Sequence, residues 1–435
     1  MENVTIGFLG LGVGLVLLLL RVQIGVALGV VSFIGIGILL SFRAAWGIIT
    51  AIPFNFVGDW NLTAIPMFLL MGFVASEAGL SSGLFRAMRI LLSWLPGGLA
   101  IASIGASAVL AAASGSSVAT SSAFARIATP EMLRYRYDPG LATGVIASAG
   151  TLGALIPPSI LMVLYGYLAE VSVAKLFAAG VMPGILTAMA FSAMVVVRVM
   201  RNPSLAPKIE EQFSKADVTE ALRETWPLPA IIMGVLFGIF LGVFTPTEAG
   251  AVGAALAIVV AGLRRTLSLR VLKRGIGQTL VSTASIFMVV IGTALLARFM
   301  ALSGVPTFVA DAFIAFGTSP LMVVLAVALL YLFLGCFLDS IGILLLTMPI
   351  ILPMAHDANL DLVWFGIILV KLLEVGLLTP PVGLNVYIIK GALGDRVPLT
   401  TIFKGVSWFV VVDLFVLMFL VFVPGFVIWL PSFID

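Results

Sequence analysis

Gly153-Ala-Leu-Ile-Pro157-Pro158 and Gly376-Leu-Leu-Thr-Pro380-Pro381 repeat one Gly-x-x-x-Pro-Pro pattern 223 residues apart, each inside a long apolar run, Leu141 to Tyr165 and Leu362 to Lys390. Proline lacks the donor N–H and its ring clashes with the preceding turn, so each pair interrupts its helix. Unpaired backbone groups in hydrocarbon cost several kcal/mol each, so a broken span survives only where protein, water or ions satisfy it. The carbonyls that end the first half helix (Gly150 to Ile156, and Gly376 to Thr379) suit a cation, whereas the amides that open the next half helix suit an anion. The second half helices are expected to start with proline in their first turn, where it is favoured.

The same offset aligns more than the breaks. Adding 223 places Ser116 on Asp339, Ser117 on Ser340, Pro130 on Pro353, Asp138 on Asp361, Gly153 on Gly376 and both prolines on prolines, without a gap. Small-residue runs and proline kinks are each common in membrane helices as plain packing features. Their recurrence in one register argues instead for two related halves, residues 1–200 and 228–435, joined by the polar linker 201–227.

Composition sets the environment. The chain of 435 residues is 61% hydrophobic and 10% charged, whereas globular domains carry about 25% charged residues. This excludes a cytosolic enzyme, and the single Cys336 excludes a disulfide scaffold. A formal charge of +3, scattered along the chain, excludes a nucleic-acid footprint. Met1-Glu2-Asn3 lacks the cationic start of a signal peptide, so Val4 to Leu20 reads as a retained span. Further spans are Val22 to Leu40, Leu62 to Gly79, Phe177 to Val199, Leu228 to Phe244, Ala249 to Leu263, Leu280 to Leu302 and Val406 to Ile428.

Two stretches are too short for a double crossing. Residues 97–130 turn at Ser114-Gly-Ser-Ser117 and are flanked on both sides by arginine (Arg86 and Arg89, Arg134 and Arg136), so a re-entrant hairpin from the cytoplasm keeps all four inside. Residues 320–353 have the same shape around Gly335 to Ser340 but acidic flanks, which predicts a hairpin from the outside. This arrangement leaves only Arg43, Lys175, Arg298 and Lys371 of the 23 Lys and Arg off the cytoplasmic side. The expected fold is an all-α integral membrane protein with an inverted-topology repeat, about ten spanning helices, two of them broken, and two re-entrant helical hairpins.

Apposing each hairpin tip with its own broken span predicts two cages of hard oxygen ligands. The first takes Ser114, Ser116, Ser117 and backbone around Gly150, Gly153 and Leu155; the second takes Gly335, Asp339, Ser340, Gly376 and Thr379. Neutral oxygens with at most one carboxylate fit Na+ better than a divalent ion. Asp339 is the stronger pointer, because an intramembrane carboxylate is expensive and by default functional. Lys371 and Glu374, at i and i+3, are positioned to pair with each other, and Asp413 has no partner evident in the sequence. Three other readings stay open: proton coupling through Asp339 or Glu374, a channel lined by the hairpins, and an intramembrane hydrolase using Ser114 or Ser116. The last lacks a base within the membrane, since His356 falls at the exit of the outer hairpin.

At these residues the chain resembles the large membrane subunit of TRAP transporters, the tripartite ATP-independent periplasmic systems. The resemblance runs nearly end to end through Gly115-Ser-Ser-Val-Ala-Thr120, Pro130-Glu-Met132, Tyr137-Asp-Pro-Gly140, Leu155-Ile-Pro-Pro-Ser159, Lys175-Leu-Phe177, Thr245-Pro-Thr-Glu-Ala249, Trp364-Phe-Gly366 and Thr379-Pro-Pro-Val-Gly-Leu-Asn385. It implies Na+-driven uptake of an organic acid, such as a C4-dicarboxylate or sialic acid, across the bacterial inner membrane. It also implies a periplasmic substrate-binding protein, a small four-helix membrane subunit, and an elevator motion of the hairpins and broken spans within the lipid bilayer. The sodium sites would map onto the two cages, and the substrate would lie near Ser117, Thr120, Pro158 and Asn385. Arg126 departs from the family, which has a small residue there; its guanidinium either holds an acidic substrate or reaches the cytoplasmic face.

Overall fold

The computed structural model describes residues 2–20, 22–80, 82–208, 214–309, 320–336, 338–381 and 383–434, and among them every regular element is a helix. The first half runs through α1 (Glu2–Leu19), α2 (Ile24–Leu39), α3 (Phe42–Val57), α4 (Ala64–Glu77) and α5 (Ser82–Leu92) to a hairpin of α6 (Gly98–Ser114) and α7 (Ser117–Arg134). A broken span, α8 (Pro139–Leu155) with α9 (Ile160–Leu168), and then α10 (Val173–Arg201) complete it. After the linker helix α11 (Lys215–Thr225) come α12 (Pro227–Phe240), α13 (Pro246–Leu263) and the long α14 (Leu269–Ser303). The second hairpin is α15 (Pro320–Gly335) with α16 (Ser340–Asp357), the second broken span is α17 (Leu362–Gly376) with α18 (Leu384–Leu393), and α19 (Leu399–Phe422) and α20 (Pro424–Ile428) close the chain. Seven helices among the described residues are long and apolar enough to cross a bilayer.

Local chemistry fixes the helix ends at matching places. The α7 and α16 bounds differ by the 223-residue offset at both ends. Ser116 caps α7 by accepting the Ala119 N–H, and Asp339 caps α16 by accepting the Gly342 N–H. Asp138 and Asp361, another aligned pair, accept from Leu141 and Trp364 N–H at 2.8 Å and start α8 and α17. Each such cap satisfies a donor that the helix itself leaves free. α6 ends at Gly115, whose φ of +59° is the left-handed conformation that glycine takes without penalty. Its 17 residues rise only about 25 Å, short of a full crossing of about 30 Å.

Three features differ from the sequence expectations. Phe42–Val57 and Ser82–Leu92 are helices where no span was expected. α3 carries Arg43, Asn55 and an internal Pro53, which dilute its apolar signal, and α5 is an amphipathic surface helix whose Arg86 pairs with Glu220 of α11 at 3.0 Å. The prolines do not open the second half helices. Both Pro-Pro bonds are cis and lie within the breaks, and α9 and α18 begin later, after Ser159 and Gly383.

The broken spans form the centre of the molecule. Every residue from Gly140 to Leu155 and from Trp364 to Gly376 is buried. α8 meets α19 backbone to backbone: a Cβ on Gly144 would lie 2.6 Å from the Gly405 carbonyl carbon. α2 and α14 approach as closely, since a Cβ on Gly292 would lie 2.5 Å from the Gly25 carbonyl oxygen. Small residues allow such contacts between membrane helices, where dispersion and close fit replace the hydrophobic effect.

Candidate ion and substrate site

The hairpin turns press against the ends of their own broken spans. In the first half, Ser117 Oγ donates to the Thr151 carbonyl at 3.4 Å. A Cβ on Gly153 would lie 3.0 Å from the Ser116 carbonyl carbon, and one on Gly115 3.1 Å from the Pro158 carbonyl oxygen. Gly150 packs on the Ser121 side chain. The Ser114 and Thr120 hydroxyls share a hydrogen bond of 2.9 Å, and Thr120 Oγ1 also donates to the Ser116 carbonyl, which ties the turn to itself. The Leu155 carbonyl faces Gly180 of α10.

In the second half the contact is tighter. A Cβ on Gly335 would lie 2.5 Å from the Gly376 Cα, so neither position has room for a side chain. Cys336 Sγ donates to the Pro380 carbonyl at 3.0 Å, and Thr379 Oγ1 donates back to the Val375 carbonyl at 2.7 Å. Hydroxyls of Ser121, Ser148 and Ser340 are buried without a hydrogen-bond partner among the described residues. Buried oxygens of this kind normally find a partner in water, an ion or a ligand. The donor set is neutral oxygen plus the Asp339 carboxylate, which fits a hard monovalent cation.

Both turns then open on one cavity of about 600 Å³. Ser114, Ser116 and Ser117 line it from the first hairpin, and Asp339 and Ser340 from the second. Arg126 also lines it and has no hydrogen bond or ion pair among the described residues. The sequence reading missed the facing wall. Glu77 of α4 and Gln278, Ser282 and Ser285 of α14 also line it. Glu77 accepts from Gln278 Nε2 at 3.1 Å and pairs with Arg274 at 3.8 Å. Only the polarity of Gln278, Ser282 and Ser285 on one face of an apolar helix hinted at this wall.

The remaining expected residues lie behind the cavity surface. Thr120 and Pro158 support the first turn. Asn385 is fully buried, donates through Nδ2 to the Ala147 carbonyl at 3.1 Å, and leaves Oδ1 without a partner among the described residues. Further back, Lys371 Nζ donates to Asp413 at 2.7 Å, to Glu374 at 3.1 Å and to Thr187 at 3.2 Å. Asp413 thus has the partner that the sequence did not reveal. One oxygen of each carboxylate has no hydrogen-bond partner among the described residues.

Comparison with known proteins is decisive for the family. The family described as "Tripartite ATP-independent periplasmic transporter, DctM component" matches residues 11–426. The C4-dicarboxylate TRAP transporter large permease protein DctM of Pseudomonas aeruginosa is 34% identical over 377 residues, covering 86% of this chain and 87% of that protein. The sialic acid TRAP transporter large permease protein SiaM of Vibrio cholerae serotype O1 is 32% identical over 379 residues, covering 86% and 87%. The fold is similar to that of the Alcanivorax borkumensis YdaH transporter, with a TM-score of 0.64 at 15% identity over 89% of this chain and 90% of that one. With hairpin turns, broken spans and a shared cavity in place, the chain belongs to the DctM family of TRAP large permeases, multi-pass transporters, not enzymes, of the bacterial inner membrane.

Proposed function

We propose that the chain is the carrier of a Na+-coupled uptake system for an organic acid, which a periplasmic binding protein delivers and a small four-helix membrane subunit supports. The observation that carries this reading is the meeting of both hairpin turns at one cavity, with the ends of the broken helices buried directly behind each turn. Ser114, Ser116 and Ser117 with the α8 carbonyls would hold one Na+, and Asp339 and Ser340 with backbone at Gly335, Gly376 and Thr379 a second. Sodium supplies drive and positive potential: each ion moved inward contributes about 2.3 kcal/mol per 100 mV.

The protein's own groups do the rest. Helix N-termini at Ser116 and Asp339 point amides at the turns, and Arg126 supplies a cation for the substrate carboxylate. The two halves sit upside down relative to each other, so the hairpins enter from opposite faces. Hairpins and broken spans shift as a body against a wall that includes α4 and α14, carrying the cavity from one side to the other. Relatives named for C4-dicarboxylate and sialic acid support an acid as cargo.

The test is uptake into proteoliposomes containing the chain, its small subunit and the binding protein, with an inward Na+ gradient or with choline in its place. Uptake driven by Na+ alone is expected. Equal uptake in choline, with or without a proton gradient, would overturn the coupling.

A further inference from the structure

We propose that the cytoplasmic ends of α10 and α19 form a binding site for the headgroup of an anionic phospholipid. Arg198 of α10 carries the argument. It lies one turn inside Arg201, about 4.5 Å deeper along the helix at 1.5 Å per residue. Its guanidinium stacks on Trp408 of α19, the central carbon 4.9 Å from the ring centre. Nη1 is buried and has no hydrogen-bond partner among the described residues. An arginine that only marks the cytoplasmic face reaches water, and Arg201 is exposed in that way. Arg198 instead holds a charged donor out of water, and such a donor needs an acceptor.

The surroundings select an anion. Residues 193–201 of α10 and 399–408 of α19 include Arg198, Arg201 and Lys404 and no acidic residue. Lys404 precedes Trp408 by four residues, on the same face of α19, and like Arg201 it is exposed and without an ion pair among the described residues. The acid that acts on Arg198 from a neighbouring element is Asp138, at the start of α8. It forms no ion pair with Arg198 and already accepts the Leu141 N–H. Three cations against one carboxylate leave a surplus that suits a phosphodiester.

The strip that continues from the cations into the membrane is apolar. Met189 and Val197 on α10, and Val411 and Phe415 on α19, are all exposed. Acyl chains lie along such a strip, which a free phosphate would not use. Trp408, half exposed, stands at the headgroup level where tryptophan concentrates. Basic pockets between membrane helices on the cytoplasmic side are the places where anionic headgroups bind.

The experiment purifies the chain with its small subunit, adds phosphatidylglycerol or phosphatidylcholine, and counts retained lipid by native mass spectrometry. Variants are Arg198→Gln, Lys404→Gln and Lys273→Gln. The wild type should retain one phosphatidylglycerol in preference to phosphatidylcholine. Lys404→Gln, at an exposed position that folding does not depend on, should weaken retention about fivefold, the roughly 1 kcal/mol that one basic residue contributes beside anionic lipid. Arg198→Gln should weaken it at least about tenfold. Lys273→Gln removes another exposed cation, from the start of α14, and should change nothing. Equal retention of the two lipids would overturn the site, as would unchanged retention in Lys404→Gln or equal weakening in Lys273→Gln. Release of the small subunit by Lys404→Gln would assign this face to that subunit and overturn it too.

Discussion

Asn385 Nδ2 donates to the Ala147 carbonyl at 3.1 Å, joining the helix that follows the second break to the helix that precedes the first. The two residues are 238 apart in sequence and both are fully buried. The bond makes one body of two broken spans that belong to different halves. Tyr165 reinforces it from the other half helix, donating to the Leu362 carbonyl at 2.6 Å where α17 begins.

Replacing Asn385 with leucine removes this bond and leaves a buried carbonyl with one partner fewer. The expected cost is about 1–3 kcal/mol. Thermal unfolding of the purified protein in detergent checks it, and an unchanged midpoint would show that the bond contributes nothing.

The contact of Gly335 with Gly376 predicts a steric effect without any change of polarity. Gly335→Ala places a methyl group 2.5 Å from backbone that cannot yield, so the second hairpin must move and uptake should fall at least about tenfold. Gly12→Ala, which meets nothing within 4 Å, should be silent. Parallel transport assays of the two variants compare a crowded site with an open one under the same substitution.

Lys371 serves two buried carboxylates. Lys371→Met alone leaves both without a cation and should cost about 3–5 kcal/mol, whereas a triple variant with Glu374→Gln and Asp413→Asn should recover much of that loss. Thermal unfolding of the single and triple variants gives the comparison; a triple variant no more stable than the single would show that packing, not charge, governs the cluster.

Arg126 predicts the opposite pattern, an effect on transport without one on folding. It is exposed to the cavity and holds no partner among the described residues, so Arg126→Gln should leave the melting midpoint in place. The KM for acid uptake should rise by about 10–100-fold, the value of one charge-assisted hydrogen-bonded contact. A shifted midpoint with an unchanged KM would assign Arg126 a structural role.

The parts legible from sequence are those fixed locally. Asp138 and Asp361 start their helices through a bond to a residue three positions on, and the Pro-Pro pairs end theirs, so the offset between halves could be read from a string of letters. The packing of the hairpin turns, at Ser116, Ser117 and Gly335, on their own broken spans was likewise reachable, because turn and break recur together. The wall formed by Glu77, Gln278 and Ser282 was not, because it depends on which distant helix packs across the hairpin turns. Asp413 lacked a visible partner for the same reason: its partner Lys371 is 42 residues away, on another helix. α5 escaped notice because its 11 residues are too few to cross a bilayer and its polar face, through Arg86 and Glu220, serves the linker.

The central claim is that hairpin turns and broken helices together hold sodium. Equilibrium binding of radiolabelled Na+ to the purified chain tests it most directly, in the wild type and in Asp339→Asn and Gly335→Ala. Saturable binding in the wild type, with one site weakened at least about tenfold in Asp339→Asn and disturbed again in Gly335→Ala, is the predicted result. Sodium binding that is absent from the wild type, or indifferent to both substitutions, would contradict it.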